Sequence, residues 1–460
     1  MKQLLKLTRT LLAVLILVGL IITFVMPSFD FSEKSWVEFP ASQSPILTPT
    51  PLLPHPPLST SPSPEVMITA LPTHRAGDST VEPTSIHSST PTPVPLSLPT
   101  PASDASGSIW FLSEVKTLQG QIQQALFYVV MDEVGQVKTG EPVLFFLFEQ
   151  SEWSFQGLSQ LFPSPGEHYL AVSNPSVMQG QSIIVDLQEH RLLPLRPPQR
   201  ENILVLGHFV GWHPDEQHVL YVGSDNDTGL WLLDVQDEQP PQYLSSHTPD
   251  SAAISPDGQN LIFAERTVHS DVSNLWLAWS DGTHEHILSE IPGQSAISEL
   301  SWSPDGKSIA YGAGGTQIWL LPLGKVPRLL SNTYMGGYGY QWSPDGQFIV
   351  YVSREIPQEK PPEFLMPYTD EAYEWAFSGL SLRIVNVETG EDWRLNQDEW
   401  HGDVQPCWSP DGTNIVFSSL RSGRLAVWVN RVDGSNLRQV IPAATTLRSN
   451  PIWLTRTDGM

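Results

Sequence analysis

Cysteine is all but missing from this 460-residue sequence, where Cys407 stands alone. A single thiol closes no intrachain disulfide and builds no thiolate zinc site, so neither device holds the chain together. Positive charge is scarce too. Lys and Arg number 24 against 49 Asp and Glu, a formal net charge of -25, which excludes a nucleic-acid backbone or an anionic lipid surface as the main partner. The short signatures of common catalytic sites are also absent: there is no G-x-S-x-G, H-E-x-x-H, G-x-x-x-x-G-K-[ST] or C-x-x-C. The glycine-rich GGYGYQW from Gly336 leads into no helical pattern and is not a phosphate cradle. These absences point away from an enzyme and give no catalytic residue, no cofactor and no metal.

Only one long apolar run exists. It extends from Leu11 to Met26, after Lys2, Lys6 and Arg9 and before Pro27, Asp30 and Glu33, a positive-inside pattern. As a helix it measures about 24 Å at about 1.5 Å per residue, so flanking residues must help it cross a ~30 Å hydrocarbon core. The exit, Thr23 to Pro27, carries no small-x-small cleavage pattern, and no cysteine follows for lipid attachment. The expectation is a cytoplasmic basic tail over 1–9 and a transmembrane signal anchor over 10–27, a cleaved signal peptide being the alternative. Either places the remainder outside the cytoplasm, at the cell surface or in the periplasm.

Residues 28–107 are dominated by Pro, Ser and Thr, as in TPTPLLPHPPLSTSPSPE and SSTPTPVPLSLPTP. Such a segment buries too little apolar surface to offset its ordering entropy. It reads as a disordered, semi-rigid spacer.

Beyond it the chain repeats itself. WSPDGKSIAY from Trp302 aligns with WSPDGQFIVY from Trp342, WSPDGTNIVF from Trp408, WHPDEQHVLY from Trp212, ISPDGQNLIF from Ile254 and FPSPGEHYLA from Phe162. The period is about 40 to 50 residues with one longer interval. Each copy is a strand, a tight turn and a second apolar strand. Pro presets φ for the second turn position, Asp is tolerated at the third and Gly favoured at the fourth. Alternating third strands follow, such as GLWLLDVQD from Gly229 and LAVWVNRVDG from Leu425, then short fourth segments such as HEHILSE and VPRLLSN. Four short antiparallel strands at this period make a propeller blade.

The WSPDG turn with its following strand resembles the WD40-like (PD40) repeat of the TolB-type β-propellers, over roughly residues 108 to 456. The resemblance implies an all-β propeller, and for TolB itself six blades. Counting here gives seven. NPIWLTRT from Asn450 repeats a first strand with no second behind it, while SIWFLSE from Ser108 and QALFYVVMDEVGQVK from Gln124 read as second and third strands with no first. Joined, they form a closing blade shared by both termini; six blades remain the alternative if the N-terminal strands belong elsewhere. No pattern for TolB's additional α/β domain is found, and an anchor conflicts with its free periplasmic form.

Asp257, Asp305, Asp345 and Asp411 recur once per blade and read as structural turn residues rather than a carboxylate ring. The Trp set at 212, 302, 342, 408 and 453 reads as packing between blades. Cys407 reads as a buried small hydrophobe. His247 with Asp250, and His401 with Asp403, sit in connections entering first strands and read as polar loops. Binding is more readily grafted onto insertions. One blade carries REIPQEKPPEFLMPYTDEAYEWAFSG from Arg354, where acids alternate with aromatics. The candidate partner-binding residues are Phe364, Tyr368, Tyr373, Glu374 and Trp375 there, with Tyr334 and Tyr338 in the neighbouring NTYMGGYGYQW. Two readings result: a membrane-anchored scaffold that binds a protein or peptide, or a channel-sited hydrolase or small-ligand enzyme related to the propellers of prolyl-oligopeptidase-type hydrolases. Those hydrolases keep their catalytic triad on a separate domain for which no span is found, which favours the first.

Overall fold

The computed structural model describes residues from Ser106 to Thr455, apart from 117–121, 139, 149–157, 174–181, 196–206, 224–227, 250, 267–271, 293–296, 335, 337–338, 355–375, 397–400 and 442–446. The expected anchor and nearly all of the expected linker lie outside these residues. Among the described residues no helix is long and apolar enough to cross a membrane.

The described residues form seven four-stranded antiparallel sheets. Blade 1 joins β28 (Ile452–Leu454) to β1 (Gly107–Lys116), β2 (Ile122–Met131) and β3 (Val143–Leu147). Blade 2 holds β4 (Gln160–Pro163), β5 (Tyr169–Ser173), β6 (Ser182–Asp186) and β7 (Arg191–Pro194). Blade 3 holds β8 (Gly207–Trp212), β9 (His218–Gly223), β10 (Gly229–Asp234) and β11 (Gln242–Ser245). Blade 4 holds β12 (Ser251–Ile254), β13 (Asn260–Arg266), β14 (Val272–Trp279) and β15 (His286–Pro292). Blade 5 holds β16 (Ile297–Trp302), β17 (Ser308–Ala313), β18 (Gln317–Pro322) and β19 (Arg328–Ser331). Blade 6 holds β20 (Tyr340–Trp342), β21 (Phe348–Arg354), β22 (Leu380–Asn386) and β23 (Asp392–Arg394). Blade 7 holds β24 (Val404–Trp408), β25 (Asn414–Ser419), β26 (Ala426–Arg431) and β27 (Arg438–Gln439). The fold is an all-β, seven-bladed propeller, which decides between six blades and seven.

The seam is built as the sequence predicts. Ser108 pairs with Leu454, Ile109 with Trp453 and Trp110 with Ile452, so the last strand completes the blade begun by the first. β1 starts at Gly107, one residue before the sequence boundary. The largest apolar cluster runs through this seam, including Trp110 and Leu454 of blade 1, Leu170 of blade 2, Val350 of blade 6 and Phe417 of blade 7. First strands of neighbouring blades touch, β8 with β12, β12 with β16, β24 with β28 and β28 with β4, which sets them innermost. Second strands are covered on both sheet faces. β21 and β25 are buried at every position from Phe348 to Ser353 and from Asn414 to Ser419, and accordingly carry apolar or small side chains throughout rather than alternating. Outer strands leave Val143, Leu144, Tyr243, Ile287 and Leu329 exposed.

The repeated residues join the blades. The Trp212 indole N–H donates to Phe162 O at 3.0 Å, Trp302 to Ala253 O at 3.3 Å, Trp342 to Ser301 Oγ at 3.1 Å and Trp408 to Gln341 O at 3.1 Å. In each case the acceptor lies on the first strand of the preceding blade. The ring fills the space between sheets while its polar tip finds a partner, as a buried indole requires.

Candidate functional site

Each Ser-Pro-Asp-Gly turn is closed by its own side chains. Ser255, Ser303, Ser343 and Ser409 donate their hydroxyls to Asp257, Asp305, Asp345 and Asp411 at 2.5–2.7 Å. The same aspartates accept the amides of Gln259, Lys307, Gln347 and Thr413, two residues on. Hydrogen bonds from Ser255 and the Gln259 amide hold the Asp257 carboxyl below the usual range. Those from Ser303 and Lys307 hold Asp305 at about 2. The four carboxylates serve four separate turns and converge on nothing. Burial pushes the Cys407 thiol up to about 11, which keeps it protonated and unreactive.

The insertion leaves blade 6 from the end of β21, where the chain is anchored firmly. The Arg354 guanidinium donates to Ser378 O at 2.5 Å and Ala376 O at 2.9 Å, drawing the two ends of the insertion together. The Arg354 amide donates to Thr333 O, and Tyr334 bridges to Ser353, so Thr333 and Tyr334 lie beside this base. Tyr334, a candidate for partner binding, is only 1% exposed. Its ring packs edge-on to Tyr340 and Tyr351, with centroids 6.1 and 6.4 Å away. It is a core residue, drawn inside by its bridge to Ser353, and offers no surface to a partner. Tyr338, Phe364, Tyr368, Tyr373, Glu374 and Trp375 lie outside the described residues.

Blade 7 forms the next wall. Gly402 (φ 69°) passes so close to the insertion's end that a Cβ there would stand 2.8 Å from Phe377 Cβ and 3.0 Å from Phe377 O. Asp403 follows, 2% exposed, its Oδ2 accepting Arg421 Nη2 at 2.6 Å and Asn396 Nδ2 at 2.7 Å. Asn430 Nδ2 donates to Asn396 Oδ1 at 2.6 Å, tying β26 to the end of blade 6. Asp403 Oδ1 is buried without a hydrogen-bond partner among the described residues. The carboxylate is therefore held in charge-assisted contacts on one oxygen and keeps acceptor capacity on the other. Asp403 pairs with Arg421, not with His401, whose carbonyl accepts the Leu420 amide.

His247 is held differently from its sequence reading. Its Nδ1 faces Glu265 and its Nε2 lies 2.7 Å from Glu285 Oε1, while the ring leans on Trp276 and Phe263. Neither ring nitrogen is open to a substrate proton or a metal. Asp250 lies outside the described residues.

Sequence reasoning passed over two further groups. Glu299 (φ 52°) and Gln405 (φ 55°) occupy bulges in the first strands of blades 5 and 7. The extra residue of a bulge re-aims side chains, and here Glu299 Oε1 reaches the Gly339 amide at 3.2 Å and Gln405 Oε1 accepts Ser418 Oγ at 3.2 Å. The legible signal was a polar residue breaking an apolar first strand. The second group is the blade 3 turn, where His213, Asp215 and His218 bring a donor atom each within 4.8 Å of one another. Its signal was departure from the repeat.

No family model matches the chain. Over 147 residues it is 30% identical to the uncharacterized protein Atu1656 of Agrobacterium fabrum, covering 31% of this chain and 42% of that protein. Over 219 residues it is 23% identical to dipeptidyl-peptidase 5 of Porphyromonas gingivalis, covering 41% of this chain and 32% of that protein. The chain thus spans well under half the length of these curated relatives. Among solved structures, TolB from Acinetobacter baumannii matches at 15% identity and a TM-score of 0.35, over 75% of this chain and 82% of that one. The propeller assignment rests on the strand ladders above. The expectation that the chain is not an enzyme is corrected: a peptidase stands among the proteins it is similar to, and missing catalytic signatures do not exclude enzyme function in a fold that keeps its sites in loops.

Proposed function

We propose that this chain is a membrane-anchored, extracytoplasmic propeller that recognises a peptide or protein on the face carrying the blade 6 insertion, as the recognition element of peptidase-type chemistry. The observation that carries this reading is the anchored base of the insertion. Arg354 clamps the two ends together beside a wall that holds a buried carboxylate, Asp403, one of whose oxygens has no hydrogen-bond partner among the described residues. A fixed base lowers the ordering cost of whatever the insertion binds. Its sequence interleaves Phe364, Tyr368, Tyr373 and Trp375 with Glu363, Asp370, Glu371 and Glu374, a composition suited to peptides with basic and aromatic side chains. The dipeptidyl-peptidase relative supports a peptide as the ligand class. Hydrolysis by the propeller itself is the second reading, favoured by the same relative.

A defined peptide library incubated with the full chain, and with a version in which 356–374 is replaced by a short Gly-Ser loop, separates these readings by mass spectrometry. Peptides retained intact by the first and lost from the second support recognition at the insertion. New peptide termini support hydrolysis. Retention unchanged by the replacement moves the site off this face, and neither retention nor cleavage sinks the proposal.

A further inference from the structure

The blade 3 turn reads His213-Pro-Asp-Glu-Gln-His218 where its equivalents read Ser-Pro-Asp-Gly followed by a variable pair. In those turns the Ser hydroxyl sits between the Asp carboxylate and the amide five residues on. Here an imidazole takes the place of that hydroxyl, and a second imidazole stands five residues on. Asp215 Oδ1 keeps the ordinary role, accepting the Gln217 and His218 amides at 2.8 and 3.1 Å. That leaves Oδ2 for the imidazoles. His218 Nδ1 lies 2.8 Å from it and His213 Nδ1 3.1 Å.

These contacts are not all ordinary hydrogen bonds. The Asp215 amide points at His213 Nδ1 from 3.2 Å, which marks that nitrogen as the one bearing a lone pair. A lone pair 3.1 Å from a carboxylate oxygen is repulsive unless a positive centre lies between them. We propose that His213 Nδ1, Asp215 Oδ2 and His218 Nδ1 form a binding site for a divalent transition-metal ion of the zinc class. Two imidazoles and one carboxylate are the donors zinc takes in three-ligand sites, with an open fourth position. At zinc–ligand distances of about 2.0–2.2 Å, tetrahedral donors stand roughly 3.4 Å apart. The 2.8 and 3.1 Å separations need to open by roughly 0.6 and 0.3 Å, with the two imidazole nitrogens no more than 4.8 Å apart.

His218 also lines a cavity of about 430 Å³ with Leu232, Gln239, Pro240, Pro241 and Gln242. The third-to-fourth strand turn of the same blade thus walls the space beside the metal ligands.

The test uses the metal-free full chain and the variant H213S/H218N. Ser stands at the first position in five sister turns and Asn at the second in two, so the replacement restores a turn this fold already makes. Equilibrium dialysis against micromolar Zn²⁺ is expected to load one ion per chain, with affinity at least tenfold weaker in the variant. Co²⁺ is expected to give a visible absorption band that the variant lacks and that H247Q keeps. Equal zinc uptake by wild type and H213S/H218N, or no stoichiometric uptake by the wild type, overturns the site. H213S alone, matched by circular dichroism to the wild type, guards against a folding artefact.

Discussion

A single carboxylate shows how much of this fold is local chemistry. Asp305 is ionised down to about pH 2 in the folded chain because Ser303 and Lys307 donate to it, whereas an unfolded aspartate protonates near pH ~3.9. As the pH falls the unfolded chain takes up that proton first, so the turn's contribution is whole above about pH 4 and vanishes as the pH drops through about 2. The stability difference between wild type and D305N, followed as melting temperature, is expected to shrink over this window. A difference that stays constant would place the contribution elsewhere. Trp408 acts on a larger volume, 4% exposed and hydrogen-bonded into the preceding blade. Trp408→Ala is expected to cost about 3–5 kcal/mol in urea unfolding, and Trp408→Phe less, because the ring but not the N–H is kept. These roles were legible in the sequence because each repeats once per blade with its spacing intact. Tyr334 was not, since a tyrosine in a glycine-rich loop looks exposed until its bridge to Ser353 draws it inside.

At the scale of the element, blades 2 and 3 share one turn's chemistry. Blade 2 has Gly166 where its sisters have Asp, and so lacks the carboxylate that closes the turn. Glu216 of blade 3 supplies it, accepting Ser164 Oγ at 2.6 Å and the Gly166 amide, with His168 at 2.5 Å on its other oxygen. Glu216 itself stands, at φ 62°, where four sister turns have Gly and blade 2 has Glu167 at φ 61°. The two departures explain each other. A Cβ on Gly166 would lie 2.6 Å from Glu216 Oε2, so a side chain there would displace the Glu216 carboxylate from this turn. Gly166→Asp alone and Glu216→Gly alone are each expected to destabilise, while the double variant recovers the ordinary turn, with a coupling of about 1 kcal/mol or more in the double-mutant cycle. Additive effects would separate the two turns. No reading of one repeat at a time finds this pair, because the partner comes from the next blade. The buried network of Asp403, Arg421, Asn396 and Asn430 was hidden for the same reason, its members being spread over 35 residues and two blades. Asp403→Ala is expected to cost about 3–5 kcal/mol by removing the buried carboxylate that accepts from both Arg421 and Asn396.

The whole molecule depends on how the ring closes. The seven-blade count was available from sequence because the orphan strands at the two ends complement each other in type: a first strand without a second, and second and third strands without a first. The site was less legible, since loops obey no period and contacts between blades are set by the ring rather than the repeat. Deleting 450–460 removes β28 and bares one edge of β1, a long apolar strand. Such an edge is a template for pairing with another chain. The truncated protein is therefore expected to self-associate, read as a rise in light scattering at a concentration where the full chain stays monodisperse.

The closing blade also decides how the ring responds to being pulled. β28 and β1 run antiparallel, so Leu454 and Ser108 lie side by side at the same end of the seam. Tension between the two chain ends loads the three pairs of that seam one after another, as in opening a zipper, and parts them at low force. Tension entering at Gly107 and leaving through the far rim instead drags β1 lengthwise along β2, where ten pairs from Gly107 with Met131 to Lys116 with Ile122 share the load together. The propeller is therefore expected to resist tension that enters through its N-terminal side and leaves by the far rim, and to unclasp when gripped by both ends.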